Sequence, residues 1–177
     1  VCSSDLLNVG ITHGDVNGIS YELIIKLLAE NRICELCVPI LYGSPKVAAY
    51  YRKVLNIENF SLNTIREPGE ANGKRSNIIN CVDDNVKVDL GKETPESDQA
   101  TMVALKYALD QLDRDEIDVL TLAPQGPNAF FTEEAGSLVE YLGKRYNTTD
   151  IMSILVSEKI KMGFVTEQVK LRDVPHQ

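Results

Sequence analysis

Residues 10–28, GITHGDVNGISYELIIKLL, read as the end of a strand, a tight glycine-bearing turn and a helix. Leu7, Val9 and Ile11 alternate as strand residues do, Gly14 and Gly18 bracket a sharp bend, and Leu23, Ile24, Leu27 and Leu28 fall on one helical face. In α/β proteins ligands sit at such junctions. The first-turn N–H groups of a helix have no intrahelical partner and carry the positive end of its dipole, which suits phosphate or carboxylate. Gly14, Asp15 and Gly18 are therefore the candidate binding residues of the turn. The same spacing can serve only to reverse the chain, and the carboxylate of Asp15 argues mildly against a simple phosphate cradle. His13 could contact an anion if protonated; the plainer reading makes it a loop residue.

Outward from this stretch, strand and helix patterns alternate. Val38–Tyr42 is a short, nearly continuous apolar run, as in a strand covered on both faces. Ser44 and Pro45 then supply a cap and a first position for a helix whose buried face is Val47, Tyr51, Val54 and Leu55. Residues 64–75, with Pro68, Gly69, Asn72 and Gly73 among charges, read as a mobile surface loop. Asn77–Val82 and Val86–Leu90 suggest a hairpin turning at Asp83-Asp84-Asn85. Thr94-Pro95-Glu96 opens the longest helix, with Thr101, Leu105, Ala108, Leu109 and Leu112 at helical spacing. Ile117–Ala123 is a further buried strand, ending at the crevice that the Gly10 turn faces. Thr132-Glu133-Glu134 opens another helix, and Ile151–Val156 and Lys161–Thr166 close the chain as strands. This alternation predicts an α/β domain with a largely parallel sheet.

The 177 residues are 44% apolar and 25% charged, enough for one domain with a substantial core. A net charge of −8 and the lack of a basic block disfavour nucleic acid and anionic membranes as partners. No apolar run approaches the roughly 20 residues that span a bilayer, so the cytoplasm is the default location. Cys34 and Cys37 have redox or zinc spacing, but neither a second pair nor a histidine cluster accompanies them. Two buried thiols beside a strand are the preferred reading.

The opening stretch also resembles a known motif. Ile11, Thr12, Gly14, Asp15, Gly18, Ile19 and Glu22 match the pattern I-T-x-G-D-P-x-G-I-G-P-E of the 4-hydroxythreonine-4-phosphate dehydrogenase family. Val16, Ser20 and Tyr21 stand where that pattern has Pro, Gly and Pro, so the turn is expected to persist with altered stiffness. Gly91-Lys92 before the Thr94 helix, Ala123-Pro124 and Leu171-Arg172-Asp173-Val174-Pro175 are similar to family segments in the same order. The resemblance covers about the first half of a family member. Residues 1–177 would then be an incomplete α/β portion of a longer chain, with residues 1–6, which do not resemble the family's start, as a non-native leader.

The resemblance implies a three-layer α/β/α architecture of the isocitrate/isopropylmalate dehydrogenase-like kind. It also implies a homodimeric, NAD-dependent, metal-assisted oxidoreductase of vitamin B6 synthesis, acting on a phosphorylated hydroxy-amino acid. Arg172 and Asp173 join Gly14, Asp15 and Gly18 as implied substrate-binding residues, although a local ion pair securing the chain after its last strand is the preferred reading of these two. Neither NAD nor the divalent metal is supported by residues of this chain. Gln125, Gly126 and Pro127 stand where the family reads I-N-K; no histidine falls at the G-H-T-E-Y motif near Tyr141; Gln168 stands at the metal-binding histidine. A carboxamide oxygen is a weaker, harder donor than imidazole, and Lys170 would repel a cation. Two alternatives to an enzyme follow: a non-catalytic paralogue serving as a phosphate-ligand-binding or regulatory module, and a truncated gene product.

Overall fold

The computed structural model describes residues 6–30, 32–83, 86–130, 135–164, 170 and 172. They fall into two compact units, Val1–Thr132 and Glu133–Gln177. The first unit holds β1 (Asn8–Thr12), α1 (Ser20–Leu28), α2 (Ile33–Leu36), β2 (Val38–Gly43), α3 (Pro45–Val54), β3 (Asn63–Ile65), β4 (Asn77–Asn80), α4 (Pro95–Asp113) and β5 (Val119–Leu122). The second holds α5 (Leu138–Tyr146), β6 (Ile154–Val156) and β7 (Lys161–Gly163).

All five strands of the first unit are parallel, in the order β3-β4-β2-β1-β5. Each strand of a parallel sheet buries both faces, and β2 shows why VPILYG is apolar throughout: Leu41 packs with α1 and α3, while Ile40 and Tyr42 pack with α4. On one face Tyr21, Ile24, Ile25 and Leu28 of α1 meet Val47, Ala48 and Tyr51 of α3 over Ile11, Leu41 and Ile78. On the other, Ala100, Ala104 and Ala108 of α4 bring that helix close to Ile40, Tyr42 and Ile79. Helices on both faces of a parallel sheet make the three-layer α/β/α arrangement. No helix among the described residues is long and apolar enough to cross a membrane.

Local chemistry sets the helix starts. The Ser44 hydroxyl accepts from the Val47 N–H at 3.3 Å, the Thr94 hydroxyl from Ser97 at 3.2 Å, and Pro45 and Pro95 occupy first-turn positions. The buried face of α4 includes Thr101, Leu105, Ala108 and Leu109 as its spacing predicts, with Leu112 partly buried.

Several elements depart from the sequence reading. In α1 the face turned inward is Tyr21, Ile24, Ile25 and Leu28, whereas Leu23 and Leu27 are exposed. In α3, Val54 is exposed and Ala48 buried. Residues 77–90 do not form a hairpin: β4 lies in parallel between β2 and β3, and residues 86–89 carry no strand. The segment 64–75 starts inside the edge strand β3 and continues into a 3-10 turn, Pro68–Glu70, whose proline is buried. β5 is an edge strand with Val119 and Thr121 exposed rather than a buried one. The helix of the second unit starts at Leu138, where Ser137 caps it by accepting from Glu140 N–H at 3.2 Å. Thr132-Glu133-Glu134 lies outside the described residues. β6 and β7 are each three residues long and pair antiparallel.

Candidate functional site

β1 is the first strand, yet it lies between β2 on one side and β5 on the other. Chain connections leave it in opposite directions, so the carboxyl ends of β1 and β5 flank the switch point at which ligands of open α/β sheets bind. The turn 13–19 occupies that position. Gly14, at φ +66, is buried, and its Cα comes so near β5 that an added Cβ would lie 2.3 Å from the Pro124 carbonyl oxygen. That oxygen accepts from the Asp15 N–H at 2.9 Å and from the Ser20 hydroxyl at 2.6 Å.

The three departures from the motif each supply an anchor. Val16 is fully buried among α1 and α3, and the Ser20 hydroxyl ties the helix start to Pro124. Tyr21 is fully buried, its hydroxyl accepts from the Ser44 N–H at 3.0 Å, and its ring stacks on His13 and Tyr51. Tyr51 in turn donates to the Val16 carbonyl at 2.7 Å. Side-chain contacts thus hold the turn where prolines would have stiffened it.

A second set of bonds fastens the turn to the start of α4. The Asp15 carboxylate accepts from the Asn17 N–H at 2.9 Å and from the Ser97 hydroxyl at 2.5 Å. Asn17, nearly fully buried, donates through Nδ2 to the Lys92 carbonyl and to the Thr94 hydroxyl, and its Oδ1 accepts from the Asp89 N–H at 2.8 Å. Nothing local in the sequence marks Asn17 as this hub, because its partners lie 72 to 77 residues away. Ser97→Ala removes a charge-assisted bond from a partly buried carboxylate and is expected to lower stability by about 1–2 kcal/mol. A urea titration checks this, and an unchanged midpoint would show that the Asp15–Ser97 bond contributes nothing.

The mouth of the crevice is acidic. Asp98 is raised above the usual carboxylate range, first by desolvation and then by the charges of Asp15 and Glu93. Its Oδ1 lies 3.0 Å from where a Cβ on Gly126 would stand, and Glu93 accepts from the Asn128 amide at 3.0 Å. Gln125, in the same loop, has a buried Nε2 without a hydrogen-bond partner among the described residues.

His13 does not face this mouth as a cation. The ring is fully buried, Nε2 lies 3.2 Å from the Ala100 carbonyl, and desolvation pulls its pKa down to about 4. The unfolded chain takes up the proton near pH 6.5 while the folded one resists until about pH 4, so stability present at neutral pH declines as pH falls through that window. We expect a loss of roughly 2 kcal/mol between pH 7 and pH 5. Urea titrations at the two pH values test this, with His13→Gln, which cannot titrate, losing less over the same interval.

Of the implied site residues, the structure places Gly14, Asp15 and Gly18 together. The Gly18 Cα faces the Asp15 carboxylate, whose Oδ2 would lie 2.9 Å from an added Cβ. Arg172 is exposed, and Asp173 lies outside the described residues, as do Gln168 and His176. Cys34, Cys37 and Cys81 are free, half-buried thiols. Among the described residues no group of three or more His, Cys, Asp or Glu side chains is placed to hold a metal ion.

Comparison with known proteins bears directly on this site. The model of the family described as pyridoxal phosphate biosynthetic protein PdxA matches residues 35–177. The chain belongs to this family. It is 37% identical over 172 residues to a 4-hydroxythreonine-4-phosphate dehydrogenase of Bacteroides thetaiotaomicron, covering 95% of this chain and 47% of that protein. A relative from Oceanobacillus iheyensis, provisionally described as a D-threonate 4-phosphate dehydrogenase, is 30% identical over 171 residues, covering 92% and 50%. The crystal structure of a 4-hydroxythreonine-4-phosphate dehydrogenase from Burkholderia phymatum superposes with a TM-score of 0.82 at 20% identity, over 97% of this chain and 53% of that one. That likeness carries the PdxA fold, and with it the isocitrate dehydrogenase-like architecture expected from the motif. The chain spans about half the length of the relatives it matches.

Proposed function

We propose that this chain is the α/β portion of an oxidoreductase of the 4-hydroxythreonine-4-phosphate dehydrogenase type, acting on a phosphorylated hydroxy acid. The observation that carries the reading is the braced turn at the β1/β5 switch point, built on the residues that match the family motif. In this reading the half-buried Asp15 and Gly18 of the turn contact substrate, and Gly14 sets the approach of β1 to β5. The acidic groups Asp15, Glu93 and Asp98 suit hydroxyl or ammonium groups of the substrate better than its phosphate; Arg172 and Asp173 are proposed as further substrate-binding residues on the resemblance alone. NAD, a divalent metal, dimerisation and a cytoplasmic setting are proposed for the whole family protein.

Gln125-Gly126-Pro127 and Gln168, standing where the family has I-N-K and a histidine, favour one second reading: a module that binds the phosphorylated ligand without oxidising it. Calorimetric titration of the 177-residue protein with 4-hydroxythreonine-4-phosphate, with and without NAD and a divalent cation, separates the two. Metal-dependent ternary binding with NADH formation supports the dehydrogenase. Ligand binding with no NADH supports the module, and absence of ligand binding in a folded sample removes the turn from substrate recognition. We expect Asp15→Asn to weaken binding about tenfold, and an unchanged affinity would exclude Asp15 from contact.

A further inference from the structure

A cavity of about 480 Å³ lies in the first unit between α4 and residues that follow β4. One wall is Glu96, Gln99, Ala100 and Val103. At about 100° per residue these share one side of α4, whereas Ser97, Asp98 and Thr101, which reach Asp15, Gly126 and Gly14, share the other. The cavity is therefore a separate place from the crevice. Its opposite wall is anchored twice. Val82 belongs to the same buried core as Ala100, and the Asp89 N–H donates to Asn17 Oδ1 at 2.8 Å.

Two features define what fits there. Val82, Val86, Ala100 and Val103 give an apolar lining, and the volume falls within the roughly 300–1,000 Å³ of sites that take small organic molecules. The charged groups are mostly acidic. Asp83, Asp89 and Glu96 line the cavity with one cation among the described residues, Lys87, and Asp89 also pairs with Lys92 at 3.1 Å. A carboxylate or phosphate ligand would meet an excess of negative charge, whereas an ammonium group would be drawn in.

We propose that this cavity binds a small amphipathic amine, its apolar body against Val82, Val86, Ala100 and Val103 and its ammonium group towards Asp83 and Glu96. Occupancy bears on the crevice as well. Asp89 and Thr94 line the cavity and both bond to the Asn17 side chain, so a bound amine holds residues 89–94 more firmly against the turn. None of this depends on the reaction proposed for the crevice.

Three indoles of similar shape test the site by calorimetric titration of the 177-residue protein: cationic tryptamine, neutral tryptophol and anionic indole-3-propionate. Tryptamine is expected to bind one to one with a Kd of about 100 μM, tryptophol about tenfold more weakly and indole-3-propionate not at all. Tryptamine should also slow amide exchange in residues 86–94. Glu96→Gln should weaken tryptamine about fivefold, and Val103→Lys, which sets a second cation in the cavity, should abolish its binding. Asp98→Asn, on the crevice side of α4, should leave the tryptamine affinity unchanged. Val103 is 40% exposed, so its replacement is expected to keep the fold, which circular dichroism checks; if that variant unfolds, Glu96→Gln decides. Failure of tryptamine to bind the folded protein, equal affinity for the anion, indifference to the cavity substitutions, or a loss caused by Asp98→Asn would each overturn the proposal.

Discussion

Gly14→Ala is expected to lower stability by about 3–5 kcal/mol, a large part of the 5–15 kcal/mol that holds a typical domain together. Two effects combine. An L-residue at φ +66 pays about 1–2 kcal/mol of backbone strain, and the new methyl would stand 2.3 Å from the Pro124 carbonyl and 3.0 Å from that of Ala123. The Pro124 oxygen cannot withdraw easily, since it accepts from both Asp15 and Ser20. Gly91, at φ +74 with open space around it, separates the two effects: Gly91→Ala meets the strain alone and should lose about 1 kcal/mol. Urea titration of both variants is the measurement. Equal losses would mean that the close approach of β1 to β5 contributes nothing.

Asn17→Ala should cost about 3–4 kcal/mol. The substitution deletes two donations and one acceptance, and it strands the Asp89 N–H and Lys92 carbonyl in a place where Asn17 itself is almost wholly buried. The loss has a local signature, because residues 89–94 hold to the turn through this side chain and through the Gly91 N–H on the Asn17 carbonyl. Amide exchange there should accelerate more than in β2. Uniform acceleration across the unit would instead assign the loss to global unfolding and remove Asn17 as a local clasp.

What could be read in advance was what the chain writes locally. Ser44-Pro45 and Thr94-Pro95 announced helices because a cap acts within three residues, and the apolar run of β2 announced a doubly covered strand. The inward face of α1 was less legible. Leu23 and Leu27 are as apolar as Ile24 and Leu28, and only the packing of Tyr21 on Tyr51 and His13 selects the other side. Val86 and Val88 alternate like strand residues, yet the Asp89 N–H that follows them goes to Asn17, a choice made by a residue far away in sequence. The glycines and Asp15 of the turn could be found by motif, whereas Asn17, Ser97 and the acidic mouth required the tertiary structure. The burial that keeps His13 neutral is invisible in sequence.

The position of β1 also orders events during synthesis. β2 is made soon after β1 and can pair with it early, but the acceptor for Ser20 at Pro124 lies 104 residues downstream. Contacts of such separation form slowly, since the intervening chain must first be confined. Until β5 has left the ribosome, Gly14 has no carbonyl to approach and the Asp15 N–H has no Pro124 acceptor. The crevice is therefore among the last features of the first unit to take shape, and a nascent chain halted before residue 119 would display β1 as an open edge, vulnerable to pairing with the wrong neighbour.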